Sequence, residues 1–213
     1  MREIEGIPVY RRNLPHILPP GTCMFVTYRL AGSLPVGVFR ELEEASRREA
    51  AALVGVPTPP EDSRHESLVE QGAFTRWDAE LDRGQGTVWL AHPEVASLVA
   101  QAMHHFENLR YELHAYCIMP NHVHMVLTPL PMADESYYTL ASIMHSLKSY
   151  TANRANQVLG RSGTFWQDES YDHFVRDARD FERIIRYVIG NPAKAGLVED
   201  WLAWPWTYCR DEL

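Results

Sequence analysis

Met119-Pro120-Asn121-His122-Val123-His124-Met125-Val126-Leu127 reads as a buried strand in which two histidines flank a single valine. Alternation along a strand turns residues i and i+2 to one face, so His122 and His124 stand side by side, close enough to share one ion. The run before it, from Tyr111 to Ile118, is also strand-like, and Pro120-Asn121 supplies turn chemistry between the two. Together they read as a hairpin presenting an imidazole couple. A neutral imidazole offers a lone pair at ordinary pH, which makes the pair a metal-ligand candidate. Two ligands do not complete a site, and the same pair can equally serve as hydrogen-bonded filler of a half-buried sheet.

The rest of the chain sets the frame for that hairpin. Its 213 residues, 46% of them hydrophobic, suffice for one substantial domain with decoration. We read a single domain over 16–208, an N-terminal extension over 1–15, and an insertion or long crossover over 55–90. The longest apolar runs are too short to span a bilayer, and Met1-Arg2-Glu3-Ile4-Glu5 lacks the apolar stretch of a signal peptide. The expectation is a cytoplasmic protein with no membrane partner. Cys23, Cys117 and Cys209 are odd in number and widely spaced, which fits reduced thiols rather than a disulfide framework or zinc knuckle.

A net charge of -8 argues at first against nucleic acid, because phosphate binding normally leaves a basic footprint. The distribution changes that reading. Residues 41–82 hold eleven acidic groups against four arginines, a local excess that accounts for nearly all of the net charge. Residues 136–167 hold no Asp or Glu, yet carry Lys148, Arg154 and Arg161, a locally cationic stretch able to follow a phosphate backbone.

Thr22 to Leu30 is rich in β-formers and reads as a first core strand, and Phe39 to Val54 is a helix candidate with Phe39, Leu42, Ala45 and Leu53 near one face. Gly55 to Asp62 is a Pro-rich linker, and the segment on to Gly86 shows little periodicity. Pro93 to Leu109 reads as a helix opened by Pro93 and Glu94. Ser136 to Leu159 reads as a long helix with Leu140, Ile143, Met144, Leu147, Thr151 and Ala155 on its core face. An irregular strand follows over Thr164 to Val175, then a helix over Asp177 to Ile189 that Gly190-Asn191-Pro192 ends. The aromatic tail Trp201 to Tyr208 packs back on the domain.

Tyr187 and Asn191 are four apart at the end of that helix, the spacing that shares one helical face. A phenol can act as a covalent nucleophile and an amide oxygen as a neutral ligand, while a core tyrosine and ordinary Asn-Pro turn chemistry explain the same residues. His173 is a candidate to stand behind the histidine pair from the neighbouring strand. His104-His105, adjacent on a helix, diverge and make a poor ligand pair.

The succession Tyr116-Cys117-Ile118-Met119-Pro120-Asn121-His122-Val123-His124, Leu147-Lys148-Ser149-Tyr150, Phe165-Trp166-Gln167 and Tyr187 to Gly196 resembles the single-tyrosine HUH transposases, the IS200-like family, and their REP-associated branch in particular. The resemblance runs from about 16 to 208. It implies an α+β fold, a ferredoxin-like antiparallel sheet with helices packed on it. It also implies that His122, His124 and Asn191 hold a divalent metal, Mg or Mn, and that Tyr187 is the nucleophile. Relatives often carry Gln where this chain has Asn191. The implied activity is metal-dependent cleavage and rejoining of single-stranded DNA at hairpin-forming or palindromic repeats through a 5′-phosphotyrosine, by a monomer or homodimer. Lys148, Arg154 and Arg161 are the expected DNA contacts. Two alternatives stay open: a catalytically silent DNA-binding protein on the same fold, and a metal hydrolase unrelated to DNA.

Overall fold

The computed structural model describes residues 9–11, 15–17, 21–38, 40–42, 44 and 74–210. The Pro-rich linker and most of the helix expected over Phe39 to Val54 lie outside them. Within the described residues, Val9–Arg11 (β1) and Pro15–Ile17 (β2) form a small antiparallel ribbon. The main sheet is built from Met24–Leu30 (β3), Tyr111–Ile118 (β4), His122–Pro129 (β5), Trp166–Phe174 (β6) and Thr207–Cys209 (β7), in the order β6-β3-β5-β4-β7 with every pairing antiparallel. Strands β3, β4, β5 and β6, with the helices that connect them, follow the ferredoxin-like β-α-β-β-α-β plan that the resemblance implied.

Helical residues are 36–38, 40–42 and 44 (α1), 74–82 (α2), Pro93–Phe106 (α3), Leu140–Val158 (α4) and Ala178–Lys194 (α5). Pro93 occupies the first turn of α3, where its missing N–H costs nothing. Thr139 caps α4 by accepting the Ser142 N–H, and Asp177 caps α5 by accepting that of Asp180. The six core positions expected on α4 are its buried residues.

Two cores sandwich the sheet. On one face, α3 and α4 pack over Met24, Val26 and Tyr28 of β3 and Val123, Met125 and Leu127 of β5. On the other, Ile184, Ile185, Val188 and Ile189 of α5 pack over Phe25, Ala115, Cys117 and Val126. Alternation on central β5 therefore assigns Val123 to the first face and His122 and His124 to the second, beneath α5. With paired strands on both sides, β5 is buried along nearly its whole length.

Three expectations need correction. First, α5 does not stop at Gly190-Asn191-Pro192 but runs to Lys194. An internal proline costs a helix about 3 kcal/mol, and the turn offsets that by burying Val188, Ile189, Asn191 and Pro192 together. Asn191 consequently keeps true helical register with Tyr187. Second, α4 begins at Leu140 rather than Ser136. Third, part of the segment expected to lack periodicity is α2, in which Phe74, Trp77, Asp78 and Leu81 fall on one face. The return from α2 is tight: a Cβ on Gly86 would stand 2.3 Å from the Gly32 carbonyl oxygen, and Thr87 N–H donates to that same carbonyl at 2.9 Å. Only glycine permits this approach, which anchors the chain leaving α2 to the end of β3.

Candidate active site and metal centre

His122 and His124 have no exposed surface, and their Nε2 atoms lie 2.9 Å apart. The hydrogen bonds behind them settle the tautomer of His122. Asn121 donates its amide N–H to the Leu81 carbonyl at 2.8 Å, so its Oδ1 is the atom that meets His122 Nδ1 at 2.7 Å. An amide oxygen only accepts, so His122 carries its proton on Nδ1 and leaves the Nε2 lone pair open. Thr27 Oγ1 meets Nδ1 of His124 at 2.8 Å and can hold that ring the same way. Burial, followed by the charge of His124, pushes the His122 imidazole well below its ordinary range, which keeps it neutral.

A carboxylate that the sequence reading missed completes the cluster. Asp78 of α2 is 1% exposed, with Oδ1 at 3.3 Å from His124 Nε2 and 3.8 Å from His122 Nε2. Asp78, His122 and His124 each offer one ligand atom, all within 4.8 Å of one another. Among the described residues, Asp78 Oδ1 and both side-chain polar atoms of fully buried Asn191 have no hydrogen-bond partner. Buried polar atoms are costly to leave unmet, so two imidazole lone pairs, a carboxylate oxygen and an amide oxygen fit a divalent cation.

Tyr187 stands against this cluster, its ring centroid 5.4 Å from that of His124, and its hydroxyl donates to Asp78 Oδ2. Burial first, then the Asp78 carboxylate, push the phenol well above the usual tyrosine range. Lys194, one α5 turn beyond Asn191's neighbours and unassigned by the sequence reading, donates to the same Oδ2 at 2.7 Å and pairs with Asp82 at 3.0 Å. Its ammonium lies 5.3 Å from the Tyr187 ring centroid. Burial alone would lift the Asp78 carboxyl; hydrogen bonding from His124, the neighbouring imidazole dipoles and the Lys194 bond outweigh it and hold the group well below the usual carboxylate range. One carboxylate thus links the two imidazoles to the nucleophile candidate, and one chain supplies the entire cluster.

Helix α2 also roofs the site. Phe74 stacks on Tyr171 at 4.3 Å and packs against Phe25 and Tyr187. The remaining expected residues lie elsewhere. His173 pairs with Asp180 at 3.4 Å and stacks on Phe174, without touching the histidine pair. Lys148 donates to the Gln167 and Asp168 carbonyls at 3.0 Å each. Arg161 lies 3.7 Å over the Trp89 ring and bonds Asn156 and the Thr164 carbonyl. Arg154 projects to solvent beside Gln157. The signal that could have revealed Asp78 is an acid set inside the apolar stripe of Phe74, Trp77 and Leu81.

Residues 91–191 match the family model described as transposase IS200 like. Over 107 residues the chain is 30% identical to a REP-associated tyrosine transposase of Haemophilus influenzae, a match covering 47% of this chain and 60% of that protein. Over 102 residues it is 26% identical to the REP-associated tyrosine transposase of Escherichia coli K12, covering 47% of this chain and 56% of that one. The chain thus spans little more than half the length of either relative. A solved structure of a REP-associated tyrosine transposase bound to a REP hairpin shares the fold, with a TM-score of 0.52 at 18% identity, covering 94% of this chain and 82% of the other. No helix among the described residues is long and apolar enough to cross a membrane. The span that matches the IS200-like transposase model, 91–191, is the one that carries His122, His124, Tyr187 and Asn191.

Proposed function

We propose that this protein cleaves and rejoins single-stranded DNA at hairpin-forming repeats, with Tyr187 as nucleophile and a divalent metal held by His122, His124, Asp78 and Asn191. The observation that carries this reading is the Asp78 carboxylate, which touches both imidazoles on one oxygen and accepts the Tyr187 hydroxyl on the other. Mg or Mn is the expected metal, since phosphate and water would add oxygen ligands to the set. When bound, it would supply positive charge against the nonbridging phosphate oxygens.

The chain's own residues do the rest. Tyr187 Oη attacks phosphorus, the bond to O3′ breaks, and the strand ends as a free 3′-hydroxyl and a 5′-phosphotyrosine. The phenol is protonated at neutral pH; its proton passes to Asp78 Oδ2, which already accepts it as a hydrogen bond, and is handed on to the departing O3′. Lys194 balances the carboxylate and keeps a positive charge beside the phenol oxygen as it forms its new bond. One phosphodiester replaces another, so a second 3′-hydroxyl can reverse the step and join new ends. His122, His124 and Asn191 are fully buried, whereas Tyr187 is only partly so.

The test is a covalent adduct. Incubated with hairpin-bearing single-stranded DNA and Mn, the protein is expected to form a protein–DNA species that resists denaturation and disappears in Tyr187→Phe. Tight binding with no adduct in any metal supports instead a silent DNA-binding protein. Phosphodiester hydrolysis that survives Tyr187→Phe supports a metal hydrolase.

A further inference from the structure

Two of the sequence motifs play no part in the site: Leu147-Lys148-Ser149-Tyr150 and Phe165-Trp166-Gln167 lie across the sheet from the histidines. The structure brings them together as the walls of a groove of about 590 Å³ between α4 and β6, within the size range of small-ligand sites. Resting on the reading above, we infer that this groove binds an unpaired base of the single-stranded DNA.

The floor is rigid. Trp166 is 5% exposed, donates its indole N–H to Thr151 at 2.8 Å and meets Tyr28 edge-on at 4.8 Å. Lys148 clamps the start of β6 to α4 through its two carbonyl bonds. Above this floor stand Ser149, Asn153 and Gln167, all with solvent-accessible side chains that bond to no other side chain or backbone group among the described residues. Asp168 and Asp172 also line the groove. Carboxylates repel a phosphate backbone, whereas amides, hydroxyls and carboxylates are the groups that pair with the donors and acceptors on a base edge. The mixture therefore selects a base rather than a run of phosphates.

Position connects the groove to the chemistry. Strand β6 is the edge of the sheet, and its residues alternate between the two faces: Ser170 and Asp172 line the groove, whereas Tyr171 and His173 sit opposite Thr27 and Phe25 on the histidine side. A strand anchored in the groove needs to cross only this edge to reach the face that holds Tyr187.

The experiment measures affinity by fluorescence anisotropy for two labelled probes, a short oligonucleotide without self-complementarity and a blunt duplex, at fixed salt. Asn153→Ala and Gln167→Ala, both at accessible positions, are expected to weaken the single strand about tenfold each, as loss of one base contact does, and to leave the duplex unchanged. Equal weakening of both probes, unchanged affinity for the single strand, or a wild-type protein that does not bind it overturns the inference. Adduct formation is scored separately: its absence refutes strand cleavage by Tyr187, and the groove is then judged by binding alone.

Discussion

The candidate site joins two regions of different character. One is the β5 and α5 pair, which lies within 91–191 and supplies His122, His124, Tyr187 and Asn191. The other is α2, outside the matched span, which supplies Asp78 and the roof. The first region is a rigid platform: a central strand buried on both faces and a helix packed against it through four aliphatic side chains. The second has nine described residues, held by Asp78, by Phe74 against Tyr171, Phe25 and Tyr187, by the Lys194–Asp82 pair, by the Leu81 carbonyl and by the return through Gly86. The pairing separates a platform that places the imidazoles, the amide and the phenol from a helix that brings the carboxylate and covers them.

The largest expected effect lies on the platform. Tyr187→Phe removes the proposed nucleophile and should abolish the adduct altogether while leaving ion binding intact. If α2 contributes a ligand and not merely a cover, Asp78→Asn should lower Mn affinity by calorimetry at least about tenfold, the lower end of the cost of disturbing even an outer ligand. Unchanged affinity would reduce α2 to a lid. Asn121 joins the two regions, bonding His122 with its oxygen and Leu81 with its nitrogen. Asn121→Ala should cost about 1–3 kcal/mol in denaturant unfolding, because it leaves buried partners unmet, and weaken Mn binding as well.

Smaller effects separate the regions further. Gly86→Ala forces its Cβ against the backbone of Gly32 and Ser33, and overpacking of this kind costs about 1–3 kcal/mol. Hydrogen exchange should show faster opening in α2 and an unaltered β5. Acid should distinguish the two last. In the metal-free protein His122 is depressed, so its contribution is complete above the ordinary imidazole range and fades as pH falls below about 6.5. Asp78 is depressed as well, but as a carboxylate its contribution is complete above about 3.9 and is lost only below that. Thermal midpoints should decline from the first threshold, and the decline should be blunted in His122→Gln.

The same contrast explains what could be read in the amino-acid order. Strand β4 was legible to the residue and β5 in its alternation, though β5 runs from His122 to Pro129, because hairpin chemistry at Pro120-Asn121 and period-2 alternation are local. The shared face of His122 and His124, and that of Tyr187 and Asn191, followed from their spacing along strand and helix. The continuation of α5 through Pro192 was not, since burial of that turn is a tertiary effect that overrides a local penalty. Asp78 was hidden for a related reason: forty-four positions from His122 in the chain, it is a ligand candidate only because Gly86 and Asn121 fold α2 back over the sheet. Lys148 and Arg161, expected as phosphate contacts by charge, also bond carbonyls and cover an indole face, contacts that no local pattern announces.

The most direct measurement is a crystal grown with Mn and examined by anomalous scattering. The account predicts one ion per chain, bonded to Nε2 of His122 and His124 and to a carboxylate oxygen of Asp78, with the Tyr187 hydroxyl beside it. Saturating Mn that leaves these three side chains without an ion, or an ion bound at a different group of residues, would contradict it.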